Sequence, residues 1–322
     1  MEKDLIIDVN PAEVSIALLE NHRLIELNKE SNTGKSFSVG DVYLGKVKKI
    51  IPSLNAAFVD IGDEKEAFVH YLDLGFNFTS FDKFLKKVSS SSDKKATYEK
   101  IPIDEILPKE GRISDYLSPG QPIVTQIVKE PISTKGSRLT AEISIAGRNV
   151  VLLPFSNKIS ISAKITSKEE RKRLERLIYS IVPPNYGVIM RTAAEGKKAA
   201  VLDAELKSLI NKWESSWDKM SRPDTIQLLF SENSRTTTIL RDLLNDSFTN
   251  IFVNDEAICE EVHEYITTIT PELDKIVHYY KGDEPIFDHF NVTKQIKGSF
   301  GKVVSLKKGA YLVIEHTEAM HV

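Results

Sequence analysis

The sequence predicts a mixed α+β protein built from several units, and three observations point there. Its 322 residues exceed a single domain of roughly 100–200 residues. Short apolar runs broken by turn residues dominate the chain up to about Pro154, whereas from Thr166 onward apolar residues recur at helical spacing between short strands. Charge is uneven as well. Residues 1–38 carry 4 basic and 7 acidic side chains (−3), and 39–140 carry 15 and 14 (+1). Residues 141–222 carry 15 and 9 (+6), and 223–322 carry 9 and 16 (−7). A basic middle between acidic flanks marks modular construction and is where a polyanion would bind, although a solvated helix face gives the same count.

Hydrophobic residues at 41% and charged residues at 28% fit a soluble globular protein. Apolar stretches such as Val150–Pro154 are far shorter than the roughly 18 residues of a membrane span. Met1-Glu2-Lys3-Asp4 has neither the basic start nor the apolar run of a signal peptide. The single cysteine, Cys259, excludes an internal disulfide framework and a multi-cysteine zinc site within these residues, so a reducing, cytoplasmic location is expected.

Leu5–Asn10, Val14–Leu19 and His22–Leu27 read as three strands separated by polar turns. Gly40–Val47, Ala56–Gly62 and Ala67–Val69 continue as short strands joined by tight turns such as Pro52-Ser53-Leu54-Asn55, the pattern of a small β-barrel. From Phe76 to Pro119 the chain reads as irregular, with a flexible Ser/Lys-rich loop over Lys86–Lys95. Strands resume at Gln121–Val128, Leu139–Ile145 and Asn149–Leu153. Thr166-Ser167-Lys168-Glu169 has capping-box spacing ahead of Leu174, Leu177, Ile178 and Ile181, a helix that Pro183-Pro184 stops. A strand at Tyr186–Arg191 and a helix from Lys197 to about Trp217 follow. Beyond Pro223 come a strand (Ile226–Phe230), a helix (about Thr236–Leu244), a strand (Ile251–Val253) and a helix (about Glu256–Ile269). The tail returns to strands at Val303–Leu306 and Tyr311–Ile314.

Two places offer chemistry. Phe58 and Phe68 lie on adjacent strands of the small barrel near glycines and basic residues, where oligonucleotide-binding barrels stack bases. Two strand phenylalanines are also ordinary core. Gly187–Lys197 runs from a strand into Arg191-Thr192 and a glycine-containing turn. There an arginine fork, a hydroxyl and backbone N–H groups form a cradle suited to a phosphate, or only a solvated strand edge. The seven histidines show no metal-ligand spacing. Asp8 and Asn10 carry oxygens that suit magnesium but lack marked partners, so their expected role is structural.

The blocks Gly40-Asp41-Val42-Tyr43-Leu44-Gly45-Lys46-Val47 and Pro52–Gly62 carry a specific pattern. With Lys135-Gly136-Ser137-Arg138-Leu139-Thr140, Ile145-Ala146-Gly147-Arg148 and Val188-Ile189-Met190-Arg191-Thr192-Ala193, they resemble the amino-terminal part of the ribonuclease E/G endoribonucleases over essentially the whole chain. The resemblance implies a discontinuous ribonuclease H-like subdomain (1–38 and 223–285). Inserted into it would be an S1-type OB barrel (39–140, with the loop at 76–119 departing from the usual pattern) and a 5′-sensor α/β subdomain (141–222). Residues 286–322 would begin a deoxyribonuclease I-like catalytic subdomain.

By the same resemblance Phe58, Phe68 and Lys135 hold single-stranded RNA. Gly147 and Val151, through backbone groups, and Arg191 and Thr192, through side chains, sense a 5′-monophosphate. The family's magnesium-binding Asp-x-Asn motif follows the strand that Ala310–Glu315 matches, so the metal ligands are expected beyond Val322 and none is expected within these residues. The full-length protein is expected to be a homo-oligomer, a dimer or tetramer. The 322 residues alone are expected to bind RNA without cutting it; the alternative is a non-catalytic S1-domain RNA-binding protein that ends at Val322.

Overall fold

The computed structural model describes residues 2–31, 37–103, 107–231, 235–243, 247–269, 271–299, 301, 303–306 and 309–314. The chain divides into two units, Met1–Ser36 with Asn233–Val322, and Phe37–Glu232. It is mixed α+β.

The first unit opens with an antiparallel meander of β1 (Lys3–Val9), β2 (Glu13–Glu20) and β3 (Arg23–Ser31). Asn21 and His22 turn the second hairpin with φ of 48° and 61°, the left-handed pair that a two-residue hairpin loop needs. Leu5, Ile6 and Ile7 are consecutive and all buried, so β1 has both faces covered and reads as a continuous apolar run.

The second unit begins with a closed five-stranded barrel. Its strands are β4 (Val42–Ile51), β5 (Ala56–Asp60), β6 (Ala67–His70), β7 (Pro122–Lys129) and β8 (Arg138–Thr140). Pairing runs β4-β5-β6-β8-β7 and back to β4, which removes the sheet edges and is consistent with an OB-like fold. Alternation fills the interior: Val47, Ala57, Val59, Ala67, Val69, Ile123, Ile127 and Leu139 share one core. Gly45 is required where β4 crosses β5, because a Cβ there would lie 2.7 Å from the Asp60 carbonyl oxygen.

Between β6 and β7 the structure departs from the irregular loop expected over 76–119. It forms α1 (Phe78–Val88) and α2 (Lys94–Glu99). Phe78, Phe81, Phe84, Leu85 and Val88 recur at helical spacing and are buried, and the Asp93 carboxylate caps α2 by accepting from Ala96 N at 2.9 Å. The serine run occupies only the turn between the helices. Tyr98 is buried, its hydroxyl donating to the Asn185 carbonyl at 2.8 Å and accepting from Phe155 N at 3.0 Å.

The chain continues through β9 (Ile145–Ala146), β10 (Val150–Pro154), β11 (Ile159–Ile161), α3 (Lys168–Ile181) and β12 (Tyr186–Met190). Then come α4 (Ala199–Ser215), α5 (Trp217–Met220) and β13 (Gln227–Phe230), the last pairing with β4. A four-stranded sheet of order β11-β12-β10-β9 results. Its apolar face packs Leu152, Val188 and Met190 with Leu174, Ile178, Leu202, Leu206 and Trp213 from the helices and Phe81, Phe84 and Tyr98 from α1 and α2.

The chain returns to the first unit as α6 (Arg235–Leu243), β14 (Phe248–Val253), α7 (Glu256–Ile269), β15 (Val277–Tyr279), α8 (Ile286–His289) and α9 (Val292–Ser299). β14 pairs parallel with β1, giving a five-stranded sheet of order β15-β14-β1-β2-β3. One face packs Leu5 and Ile7 on Leu240, Val262 and Ile266, and the other packs Ile6 on Ile286 and Val292. A hairpin of β16 (Val303–Ser305) and β17 (Tyr311–Val313) follows. Residues 315–322, where the resemblance places the approach to a metal motif, lie outside the described residues.

Candidate functional site

Barrel alternation decides where Phe58 and Phe68 point. Ala57, Val59, Ala67 and Val69 face inward and are fully buried, so Phe58 and Phe68 face outward, and both are half-buried. They are direct cross-strand partners, with ring centroids 6.1 Å apart at 65°, an edge-to-face pair on the outer surface. The reading of both rings as barrel core is therefore excluded by geometry.

Lys135 is exposed in a tight hairpin in which Ile132 and Lys135 exchange backbone hydrogen bonds of 3.0 and 2.9 Å. Gly136 holds this hairpin against β6. A Cβ at Gly136 would lie 2.1 Å from the Glu66 carbonyl oxygen, so only glycine lets the two segments approach. Ser137 then accepts from Phe68 N at 2.8 Å, which fixes the Lys135 segment beside the aromatic pair.

Sequence reasoning missed two cations on the same face. Lys49 is the register partner of Phe58, and Arg138 is the register partner of Phe68. A bulge between Val47 and Lys49 makes this possible. Val47 and Ile50 both contact the barrel core, so Lys48 and Lys49 between them both turn outward. Two adjacent lysines inside an apolar strand were the available signal.

The second candidate place lies at the end of β12. Arg191 N donates to the Asn149 carbonyl at 2.8 Å, and Arg191 Nη1 donates to the Gly147 carbonyl at 2.8 Å. Gly147 N in turn donates to the Val150 carbonyl at 2.8 Å, closing a tight turn between β9 and β10. A Cβ on Gly147 would lie 2.3 Å from Glu205 Oε1 and 2.9 Å from the Val150 carbonyl. Glu205 has little freedom to yield, because it accepts from Asn149 N at 3.0 Å and Asn149 Nδ2 at 2.7 Å. Val151 pairs with both Ala146 and Ile189, and Thr192 Oγ1 lies 3.0 Å from Ser162 Oγ. The fold thus brings Gly147, Val151, Arg191 and Thr192 to one end of one sheet.

Charged groups brace that end. Arg171 Nη1 donates to the Ser162 and Ile165 carbonyls at 2.8 and 3.1 Å, holding the segment that carries the Ser162 hydroxyl. Arg173 forms a two-armed pair with Glu170 at 2.7 and 2.6 Å, and Gly196 N donates to Glu170 Oε1 at 2.8 Å. The Arg173 hydrogen bond first, and the Gly196 N–H second, hold the Glu170 carboxyl down at about 2.

Elsewhere, Asp8 accepts from Asn254 Nδ2 at 2.7 Å, and burial pushes its carboxyl up. Asn10 Oδ1 accepts from Ala12 N and Glu13 N, an Asx turn between β1 and β2. The described residues contain no group of three or more His, Cys, Asp or Glu side chains able to hold a metal ion. Among them, no helix is long and apolar enough to cross a membrane.

A family model described as "Ribonuclease E/G family" matches residues 144–322. Ribonuclease G of Haemophilus influenzae is 34% identical over 317 residues, which cover 98% of this chain and 60% of that protein. Ribonuclease G of Escherichia coli K12 is 32% identical over 320 residues, 99% of this chain and 61% of that protein. Ribonuclease E of Nostoc is 31% identical over 289 residues, 88% of this chain and 38% of that protein. The chain therefore spans about 60% of the length of the ribonuclease G relatives it matches.

Proposed function

The chain belongs to the ribonuclease E/G family, and on that premise we propose that it grips single-stranded RNA and reads the RNA's 5′ end for a magnesium-dependent endoribonuclease of RNA processing and decay. The observation that carries this reading is the outward Phe58/Phe68 pair and the Arg191–Gly147 cradle occurring together in one unit. Residues 39–140 act as the S1-type RNA-binding barrel and 141–222 as the 5′ sensor. Residues 1–38 and 223–285 form the ribonuclease H-like frame, and 286–322 begin the catalytic subdomain.

Two bases stack on Phe58 and Phe68, each contact being worth about 1–3 kcal/mol and tolerant of sequence, because every base has a π-face. Lys135 meets the strand's phosphates beside them. At the other place, the guanidinium of Arg191 is pre-oriented by its bond to the Gly147 carbonyl and pairs with a terminal phosphate. The Thr192 hydroxyl and the backbone of Gly147 and Val151 complete the cradle. On this reading the cradle is matched to a single terminal phosphate, so a 5′-monophosphate is preferred over a triphosphate.

In this family magnesium supplies an activated water and stabilises charge on the phosphodiester; none of the described side chains is assigned to hold it. The proposal for these 322 residues is binding without cleavage, with the full-length protein acting as a homo-oligomer. Incubating the chain with a 5′-monophosphorylated oligoribonucleotide and magnesium tests it. Binding tighter than to the 5′-hydroxyl form, with the RNA intact, is the expected result. Cleavage by the purified chain, or equal binding of the two forms, would overturn it.

A further inference from the structure

The barrel face carries more than two rings. Lys49 on β4, Phe58 on β5, Phe68 on β6 and Arg138 on β8 are successive register partners, so one row crosses four strands in the order cation, ring, ring, cation. We propose that Lys49 and Arg138 are the phosphate-holding ends of this row, so that an RNA strand crosses the barrel strands with its bases on the two rings and a phosphate at each end. The inference rests on the RNA-stacking reading of Phe58 and Phe68 and adds the path of the strand and the residues that fix it.

The two cations differ from their neighbours in ways that suit this role. The β4 bulge places both Lys48 and Lys49 on the outer face. Lys48 is engaged, 3.4 Å from Asp60 and 3.8 Å from Glu66, whereas Lys49 is exposed and makes no ion pair among the described residues. Arg138 is held rigidly at the opposite end. Its Nε and Nη2 donate to the Asp73 carboxylate at 3.1 Å each, and its side chain stays 46% exposed. Two of its five N–H donors are spent on orientation, and the half-exposed side chain leaves the others for a phosphate. Asp73 orients the guanidinium, and the positive charge is what a phosphate meets. Three strand spacings set the row at about 14 Å from end to end.

Lys49 and Arg138 emerge only from the strand register, and they predict something the rings alone do not: a salt dependence that localises to the two ends. Each phosphate contact on a single strand contributes about 0.7 to the slope of log K against log salt. The test titrates a labelled single-stranded RNA with a 5′-hydroxyl end, which keeps the sensor out of the measurement, from about 50 to 200 mM salt.

Lys49→Gln and Arg138→Gln should each lower the slope by about 0.7, and the double variant by about 1.4. Arg138→Lys, which keeps the charge, should retain the slope. Lys86→Gln, an exposed lysine on α1 outside the row, should leave the slope unchanged. Phe58→Ala with Phe68→Ala should weaken binding at every salt concentration without changing the slope. Slopes unaltered by Lys49→Gln and Arg138→Gln, in a protein that the Phe58/Phe68 variant does weaken, would overturn this inference and leave RNA stacking standing. No weakening by the Phe58/Phe68 variant would instead remove the stacking reading on which it rests. Should Arg138→Gln fail to fold, Lys49→Gln alone decides, since its exposed side chain supports no packing.

Discussion

Replacing Phe58 and Phe68 with alanine separates a binding surface from a core. Each base stacked on an aromatic ring contributes about 1–3 kcal/mol. At about 1.4 kcal/mol per decade, one ring is worth roughly a 5- to 150-fold change in affinity. The two rings sit 6.1 Å apart in edge-to-face contact, so each supports the other. Such pairs are worth about 0.5–1.5 kcal/mol, so removing one ring loosens the other and the double variant should fall short of the product of the singles. Folding should suffer less than binding. A fully buried Phe→Ala costs about 3–5 kcal/mol, but these rings face outward and are half-buried, so about 1–2 kcal/mol is expected. The assay is fluorescence anisotropy with a 5′-hydroxyl single-stranded RNA, paired with thermal melting of the same samples. A double variant that melts as though its core were gone, yet binds RNA normally while folded, would show that the rings are core and not a binding surface.

Three further outcomes follow from particular contacts. Gly147→Ala should cost about 1–3 kcal/mol in chemical denaturation and abolish the preference for a 5′-phosphate, because the new methyl must displace Glu205 from Asn149 or open the turn at Val150. Tyr98→Phe strands a buried N–H on Phe155 and a carbonyl on Asn185; denaturant melts should show a loss of about 1–3 kcal/mol with the RNA face unaltered. The Glu170 carboxyl is held at about 2 in the folded protein, below its ordinary value of 4.5, so its contribution is complete above the ordinary value and fades as pH falls toward 2. Stability of wild type relative to Glu170→Gln, followed by denaturation from pH 6 to 2, should therefore be constant at first and converge at the acid end.

Much of this architecture was legible from residue order. The short strands and tight turns from Gly40 to Val69 announced the barrel, and the strand expected at Tyr186–Arg191 is β12, with Arg191-Thr192 at its end. What stayed hidden depended on partners distant in the chain. The helices over Phe78–Val88 and Lys94–Glu99 were obscured by the lysines and serines around them, because their apolar stripe makes sense only against Phe155, Trp213 and Trp217. Glu205, from the middle of α4, fixes Asn149 although 56 residues separate them. Lys49 and Arg138 could not be placed beside the rings without knowing that β4 bulges and that β6 pairs with β8. Register is a tertiary property, and local pattern does not encode it.

The proposal that one chain grips RNA at the Phe58/Phe68 face and measures its 5′ end at Arg191 can be tested in one comparison. The most direct measurement is the affinity of wild type and Arg191→Ala for two RNAs identical except for a 5′-phosphate or a 5′-hydroxyl. Wild type should prefer the phosphate, and Arg191→Ala should erase the preference while binding the hydroxyl form as wild type does. A preference that survives Arg191→Ala, or an equal loss of affinity for both RNAs, would contradict it.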